Sequence, residues 1–215
     1  MNRGFRIGLV DVPEQPATAG LSRIGNNSDY IPMTVESFDN HIYFYAEVNT
    51  DRCLDLIKKI READNSLRTQ KESRMLPKEY LNTPIWLHIQ SPGGDLFSGL
   101  NMADQFKTIA SPIYSIVEGY CASAATLISM SCNRKFITPN SFMLIHQLWS
   151  IAWGKYEELK DDMHLSDMLM ESLRDFYSEK TKWNKKQVVE LLKRDSWFNS
   201  KECIEHGLVD QFLEV

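Results

Sequence analysis

The sequence predicts an α/β domain built largely on parallel strands. Short apolar runs with strand character alternate with segments of helical period along most of the chain, the pattern expected of strands joined by helical crossovers. At 215 residues the chain is long enough for one such domain with a well-buried core. An apolar fraction of 43% and an aromatic fraction of 11% suit a globular protein.

Taken in order, residues 1–32 are rich in Gly, Pro, Asn and Ser with little periodicity and read as a polar N-terminal arm. Residues 33–215 read as a single domain. His41 to Val48 reads as a strand, and Asp51 to Ala63 carries Leu54, Ile57 and Ile60 at helical spacing, with Thr50 or Asp51 as the cap. The polar stretch at about 64–83, with Lys71, Arg74 and Lys78, reads as an exposed insertion whose charge is a solvated surface.

Ile85 to Ile89 is then a buried strand, and Gly99 to Ile109 a helix with Leu100, Met102, Ala103, Phe106 and Ile109 on its period. Ile113 to Val117 is a strand, Ala124 to Met130 a helix, and Lys135–Ile137 and Phe142–Ile145 are short strands. The longest helical segment runs from Lys155 to Tyr177, with Leu159, Met163, Met170, Leu173 and Tyr177 near one face. Leu165, Met168 and Leu169 fall off that stripe, which fits either a broad core-facing surface or burial against a second subunit as well. A short helix through Leu192 and another from Ser200 to Gly207 complete the chain.

Charge and composition narrow the function. A formal charge of -5 gives no reason to expect a nucleic-acid partner. No run approaches the roughly 20 apolar residues of a membrane span, and residues 1–20 lack the apolar stretch of a secretory signal, so the expectation is a cytoplasmic protein without membrane contact. Cys53, Cys121, Cys132 and Cys203 have no CxxC spacing and are expected to be reduced and buried. The five histidines show no metal-ligand spacing, and no G-x-x-x-x-G-K-[ST] run is present. No metal or cofactor is therefore expected in this chain.

Two segments carry chemistry. Ser91-Pro92-Gly93-Gly94 follows one strand and Gly119-Tyr120-Cys121-Ala122-Ser123-Ala124-Ala125 follows another, with His146 ending a third. Glycine backbone N–H groups can face a developing oxyanion, a serine at a strand-to-helix turn can be approached closely, and a histidine can take its proton. Such a histidine needs a carboxylate to orient it, and Asp195 is the candidate, although Asp161, Asp162, Asp167 and Asp175 lie between the two. Cys121, two residues from Ser123, is weighed as a rival nucleophile and reads better as a small buried hydrophobe.

With Pro139-Asn140-Ser141 leading to Ile145-His146-Gln147, Arg194-Asp195 and the closing Glu205-His206-Gly207-Leu208-Val209-Asp210, these motifs make residues 42–215 resemble the ClpP family, the proteolytic subunit of the Clp protease. Each motif alone is weak; their order and spacing make the combination specific. The resemblance implies a ClpP/crotonase-type repeated ββα spiral with the helix after Lys155 as a projecting handle. It also implies Ser123 as nucleophile, His146 as general base and Asp195 as its orienting carboxylate, with an oxyanion hole from the N–H groups of Gly94 and Ala124. The activity implied is a self-compartmentalising serine endopeptidase acting on unfolded polypeptides. Its subunits would form two stacked heptameric rings, with ATP used by a separate Clp-type unfoldase.

The sequence also departs from the family. Ala124 and Ala125 follow the serine where Met and Gly are usual, and Leu148-Trp149-Ser150-Ile151-Ala152-Trp153-Gly154 replaces a segment that normally carries Pro and paired glycines. Three alternatives stay in view, the second of them because of the altered loop. One is a processing protease of the same fold without an unfoldase, another a weakly active or noncatalytic ring subunit, and the third a crotonase-type acyl-thioester enzyme.

Overall fold

A computed structural model describes residues 34–74 and 83–213. Among the described residues the sheet is assembled from eight strands. β1 (Thr34–Phe38) and β2 (His41–Tyr45) form an antiparallel hairpin at one edge, and β3 (Ile85–Ser91), β4 (Ile113–Ala122) and β5 (Arg134–Ile137) follow in parallel. β8 (Gln211–Phe212) closes the far edge beside β5. The expected arm at 1–32 lies outside the described residues.

β4 positions the site because it has two different neighbours along its length. Tyr114–Val117 pair with β5, whereas Tyr120–Ala122 pair with β6 (Phe142–Ile145). β6 in turn pairs antiparallel with β7 (Ser196–Asn199), so a two-stranded branch of the sheet leaves the end of β4. β7 was not expected from the sequence. Its four residues are too short to show a period and gain strand geometry from pairing with β6.

Helices α1 (Thr50–Arg74), α2 (Leu96–Phe106) and α3 (Ala124–Met130) follow β2, β3 and β4 in turn. Alternate strand residues face them: Ile42, Phe44, Ile85, Leu87, Ile89, Ile113 and Val117 are buried in one core with Leu56, Ile60, Met102, Leu127 and Ile128. All four cysteines are buried and unpaired.

The first part of the stretch at 64–83, read from the sequence as an exposed insertion, is helical. Residues 64–74 continue α1, while 75–82 lie outside the described residues. Leu67 still packs on the core and the buried Asp64 accepts the Ser111 N–H at 2.8 Å. Arg68, Gln70, Lys71 and Glu72 are good helix formers, so the helix propagates past its last core contacts without an apolar stripe. Asn49 caps it, its side chain accepting the Arg52 N–H at 2.9 Å, in place of Thr50 or Asp51.

α4 (Tyr156–Lys180) buries only Leu169, Leu173 and Tyr177, all toward its C-terminal half. Leu169, placed off the stripe by sequence, begins the buried seam, and Met163, placed on it, is exposed. The N-terminal half therefore projects from the core, with Tyr156, Met163 and Met168 in the open. α5 (Lys185–Leu191) packs on α4, and α6 (Ser200–His206) packs against β6, β7 and β8. Asn199, rather than Ser200, caps α6 in a reciprocal box with Glu202.

Candidate active site

The site sits where β4, β6 and β7 end side by side. Ser123 directly follows β4, and its N–H bonds the Leu144 carbonyl of β6 at 2.9 Å, which prolongs the β4–β6 pairing by one step. His146 directly follows β6. The antiparallel register of β6 with β7 pairs Ile145 with Ser196, so the next residues outward on the two chains are His146 and Asp195. The central strand thus ends in the histidine, with the serine on one flank and the aspartate on the other.

The backbone at Ser123 is strained. Its φ of 54° and ψ of -128° place a non-glycine residue in sparsely populated space at the strand-to-helix turn, which exposes the side chain ahead of α3. Ser123 is half-buried, whereas Ala122 and Ala124 beside it are buried.

The glycine loop lies against this turn. Gly93 has φ 89°, and a Cβ there would come 2.6 Å from the Ala122 oxygen and 2.7 Å from the Ser123 Cβ. Only glycine permits both the conformation and the approach. Gly94 bridges to Val48 in parallel fashion: the Val48 N–H bonds the Gly93 carbonyl and the Asp95 N–H bonds the Val48 carbonyl, each at 2.7 Å. That pattern engages the residues on either side and leaves the Gly94 N–H without an acceptor among the described residues. The Ala124 N–H, at the first turn of α3, likewise has none. Asp95 holds the loop by capping α2, accepting the Ser98 N–H at 2.7 Å.

Burial, the largest effect, lowers the pKa of His146 below the ordinary histidine value of 6.5, partly opposed by the charge of Asp195 and by a hydrogen bond that the ring donates to the Gln147 backbone. The ring is therefore neutral near pH 7 and able to accept a proton. Among the described residues no hydrogen bond joins Ser123 Oγ to His146 or His146 to Asp195, and Asp195 is exposed. The three side chains share one sheet end without being locked together in the single chain.

Cys121 does not compete as a nucleophile. It is fully buried, and burial, helped by the nearby Cys203 and Cys132, pushes its thiol well above the ordinary cysteine range. A groove of about 600 Å³ lies between α1 and α2, but none of the five candidate residues lines it. Among the described residues no group of three or more His, Cys, Asp or Glu is arranged to hold a metal, and no helix is long and apolar enough to cross a membrane.

A second polar cluster escaped the sequence reading. His41 Nδ1 lies 2.9 Å from His88 Nε2, His88 Nδ1 lies 2.9 Å from Glu118 Oε1, and Tyr45 donates its hydroxyl to Glu118 Oε2. Tyr43 stacks on His88 with ring centroids 4.3 Å apart. These residues come from three neighbouring strands, a spacing that no local pattern reports.

Comparisons with known proteins agree with this geometry. Residues 37–215 match the Clp protease family model. The chain is 35% identical over 133 residues to the ATP-dependent Clp protease proteolytic subunit 2 of Treponema denticola, covering 61% of this chain and 66% of that protein. It is 30% identical over 177 residues to proteolytic subunit 1 of Chlamydia caviae, covering 79% of this chain and 85% of the other. Among solved structures, a point mutant of ClpP1 from Listeria monocytogenes superposes with a TM-score of 0.69 at 22% identity, covering 82% of this chain and 92% of that one, which supports the ClpP-type fold. With the family model spanning all but the first residues of the described chain, the protein belongs to the Clp protease family.

Proposed function

We propose that this chain is a self-compartmentalising serine endopeptidase that hydrolyses peptide bonds of unfolded polypeptides. The observation that carries the proposal is the strained Ser123 turn flanked by His146 and faced by the glycine loop. Ser123 Oγ attacks the scissile carbonyl while the neutral His146 takes its proton, and the tetrahedral oxyanion is received by the N–H groups of Gly94 and Ala124. His146 then protonates the leaving amine, and water attacks the acyl-enzyme by the same route. Asp195 stabilises the imidazolium formed in each half.

Assembly fits the same reading. Tyr156, Met163 and Met168 on α4 and Trp149, Ile151 and Trp153 in the preceding loop are exposed apolar side chains along one projecting region. Their cover would be the facing ring of a fourteen-subunit barrel. Enclosure of the sites makes a separate ATP-dependent unfoldase necessary for folded substrates, since no ATP-binding motif occurs in this sequence.

The absence of hydrogen bonds within the triad favours a second reading, a subunit that is weakly active until neighbours close the site. One experiment separates them: fluorophosphonate labelling of the purified protein at neutral pH, mapped to peptides, beside Ser123→Ala and across assembly states. An adduct on Ser123 in every state supports the autonomous peptidase, and an adduct only in the assembled barrel supports activation by neighbours. No adduct in the assembled barrel rejects the serine peptidase. Degradation of an unfolded protein with and without a Clp-type unfoldase then distinguishes the barrel protease from a stand-alone processing enzyme.

A further inference from the structure

The buried pair Thr126 and Tyr177 connects the projecting helix α4 to the carbonyl of the nucleophile's own residue. Thr126 Oγ1 donates to the Ser123 carbonyl at 2.7 Å, and the same carbonyl accepts the Thr126 N–H at 2.9 Å, which occupies both of its lone pairs. Tyr177 OH lies 2.7 Å from Thr126 Oγ1. Proton counting fixes the direction. The one hydroxyl proton of Thr126 goes to a carbonyl that can only accept, so Tyr177 is the donor to Thr126. Thr126 is fully buried and Tyr177 only 2% exposed, so the relay runs through the core without water.

This carbonyl matters because of what it shares. The Ser123–Ala124 peptide is trans and planar, so the Ser123 C=O and the Ala124 N–H point in opposite directions from one rigid plate. Fixing the oxygen fixes the donor. The plate also has a reason to move: at φ 54° and ψ -128° Ser123 is strained, and turning ψ toward the left-handed well at about +47° relieves it. Any such rotation carries the Ala124 N–H away from the position facing the glycine loop.

We infer that Thr126 and Tyr177 are positioning residues that pin the Ser123–Ala124 peptide plane and so hold the Ala124 oxyanion donor in its working direction. The inference rests on the serine peptidase reading of Ser123. Burial, the first cause, raises the Tyr177 hydroxyl above its ordinary pKa, so it remains a donor throughout the working pH range. Since Tyr177 sits at the end of the seam that docks α4 on the core, a shift of that helix reaches the oxyanion donor through two hydrogen bonds.

The test compares wild type, Thr126→Val, Thr126→Ser, Tyr177→Phe and the Thr126→Val/Tyr177→Phe double variant. Two quantities are read on the assembled full chain: the rate of fluorophosphonate labelling of Ser123, and kcat and KM for a fluorogenic peptide. Thr126→Val preserves shape but removes the hydroxyl, and is expected to slow labelling and kcat by about tenfold with KM unchanged, less than deletion of an oxyanion donor. Thr126→Ser restores both to within about twofold. Tyr177→Phe lowers both by about threefold alone and by nothing further in the Thr126→Val background, because it acts through the threonine hydroxyl.

Wild-type labelling with Thr126→Val as fast as wild type overturns the inference. So does an equal loss in Thr126→Val and Thr126→Ser, which would mark a packing role, or a Tyr177→Phe effect that persists in the double variant. If Thr126→Val does not fold, Tyr177→Phe decides alone: unchanged labelling and kcat overturn the inference. A wild-type barrel with no adduct on Ser123 defeats the peptidase reading itself and this inference with it.

Discussion

Two polar relays run through this molecule, one at the ends of β4, β6 and β7 and one across β2, β3 and β4. The second is the better connected: Tyr45, Glu118, His88 and His41 form an unbroken series of hydrogen bonds. The first, Ser123, His146 and Asp195, has no hydrogen bond between its members in the single chain. On the serine peptidase reading, connectivity is therefore a poor guide to which relay does chemistry. Ser123 sits on a strained backbone beside two N–H groups with no acceptor among the described residues, while the Tyr45 hydroxyl ends on the Glu118 carboxylate, which already carries negative charge. A reaction needs somewhere for new negative charge to go, and only the first region provides it.

The comparison breaks most sharply at the nucleophile. Ser123→Ala should reduce fluorogenic-peptide turnover by about 10⁴-fold or more, whereas Tyr45→Phe should change it by less than about twofold. A comparable loss from both substitutions in a peptide assay would mean that the second relay takes part in catalysis.

Asp195→Asn comes next, with an expected fall in kcat of about a hundredfold, smaller than for a fully buried orienting carboxylate because Asp195 is exposed. It also carries a pH signature. Burial already lowers the His146 pKa, and Asp195 is the largest influence acting the other way. Turnover requires neutral His146, so wild-type kcat/KM should rise through a pKa below 6.5. Removing the Asp195 charge should move that acid limb to still lower pH; movement to higher pH would show that Asp195 does not act on His146.

Gly93→Ala tests the loop that faces the serine. The added Cβ meets the Ala122 oxygen at 2.6 Å on a residue at φ 89°, and backbone on both sides must shift. A loss of roughly 1–3 kcal/mol in stability is expected from the positive φ and the clash together. Chemical denaturation measures the first effect. Labelling of Ser123 in the folded fraction should be slowed about tenfold by displacement of the oxyanion donors.

Much of this was legible in the sequence, and what was missed has a common cause. Ala124 to Met130 and Phe142 to Ile145 were read at their observed bounds because their apolar residues and flanking turns are local signals. Ser123, His146 and Asp195 were brought together through the motifs around them. β7 escaped because its strand geometry comes from pairing with β6, and the extent of α1 escaped because propensity carried it beyond its apolar contacts. The Thr126–Tyr177 link joins positions whose only signal is that two hydroxyl groups are buried together. Partners chosen by the fold across long sequence separations leave no trace in a period of two or 3.6 residues.

The smallest expected effect concerns the second relay alone and asks what it is for. If its hydrogen bonds hold β2, β3 and β4 in register, Glu118→Gln should cost about 1 kcal/mol of stability at neutral pH while peptide turnover is preserved within about twofold. The pH dependence follows from the carboxyl. Burial pushes the Glu118 pKa up, but the hydrogen bonds from His88 and Tyr45, with the charge of His88, outweigh it and leave the group below 4.5. A depressed folded-state value means that the stabilisation is fully present above 4.5 and is lost as pH falls through the lower folded value. Urea unfolding of wild type and Glu118→Gln between pH 7 and strongly acidic conditions should show two curves that converge as the pH drops. Curves that stay parallel would mean that the carboxylate's charge contributes nothing, and that the relay stabilises the sheet through the stacking of Tyr43 on His88.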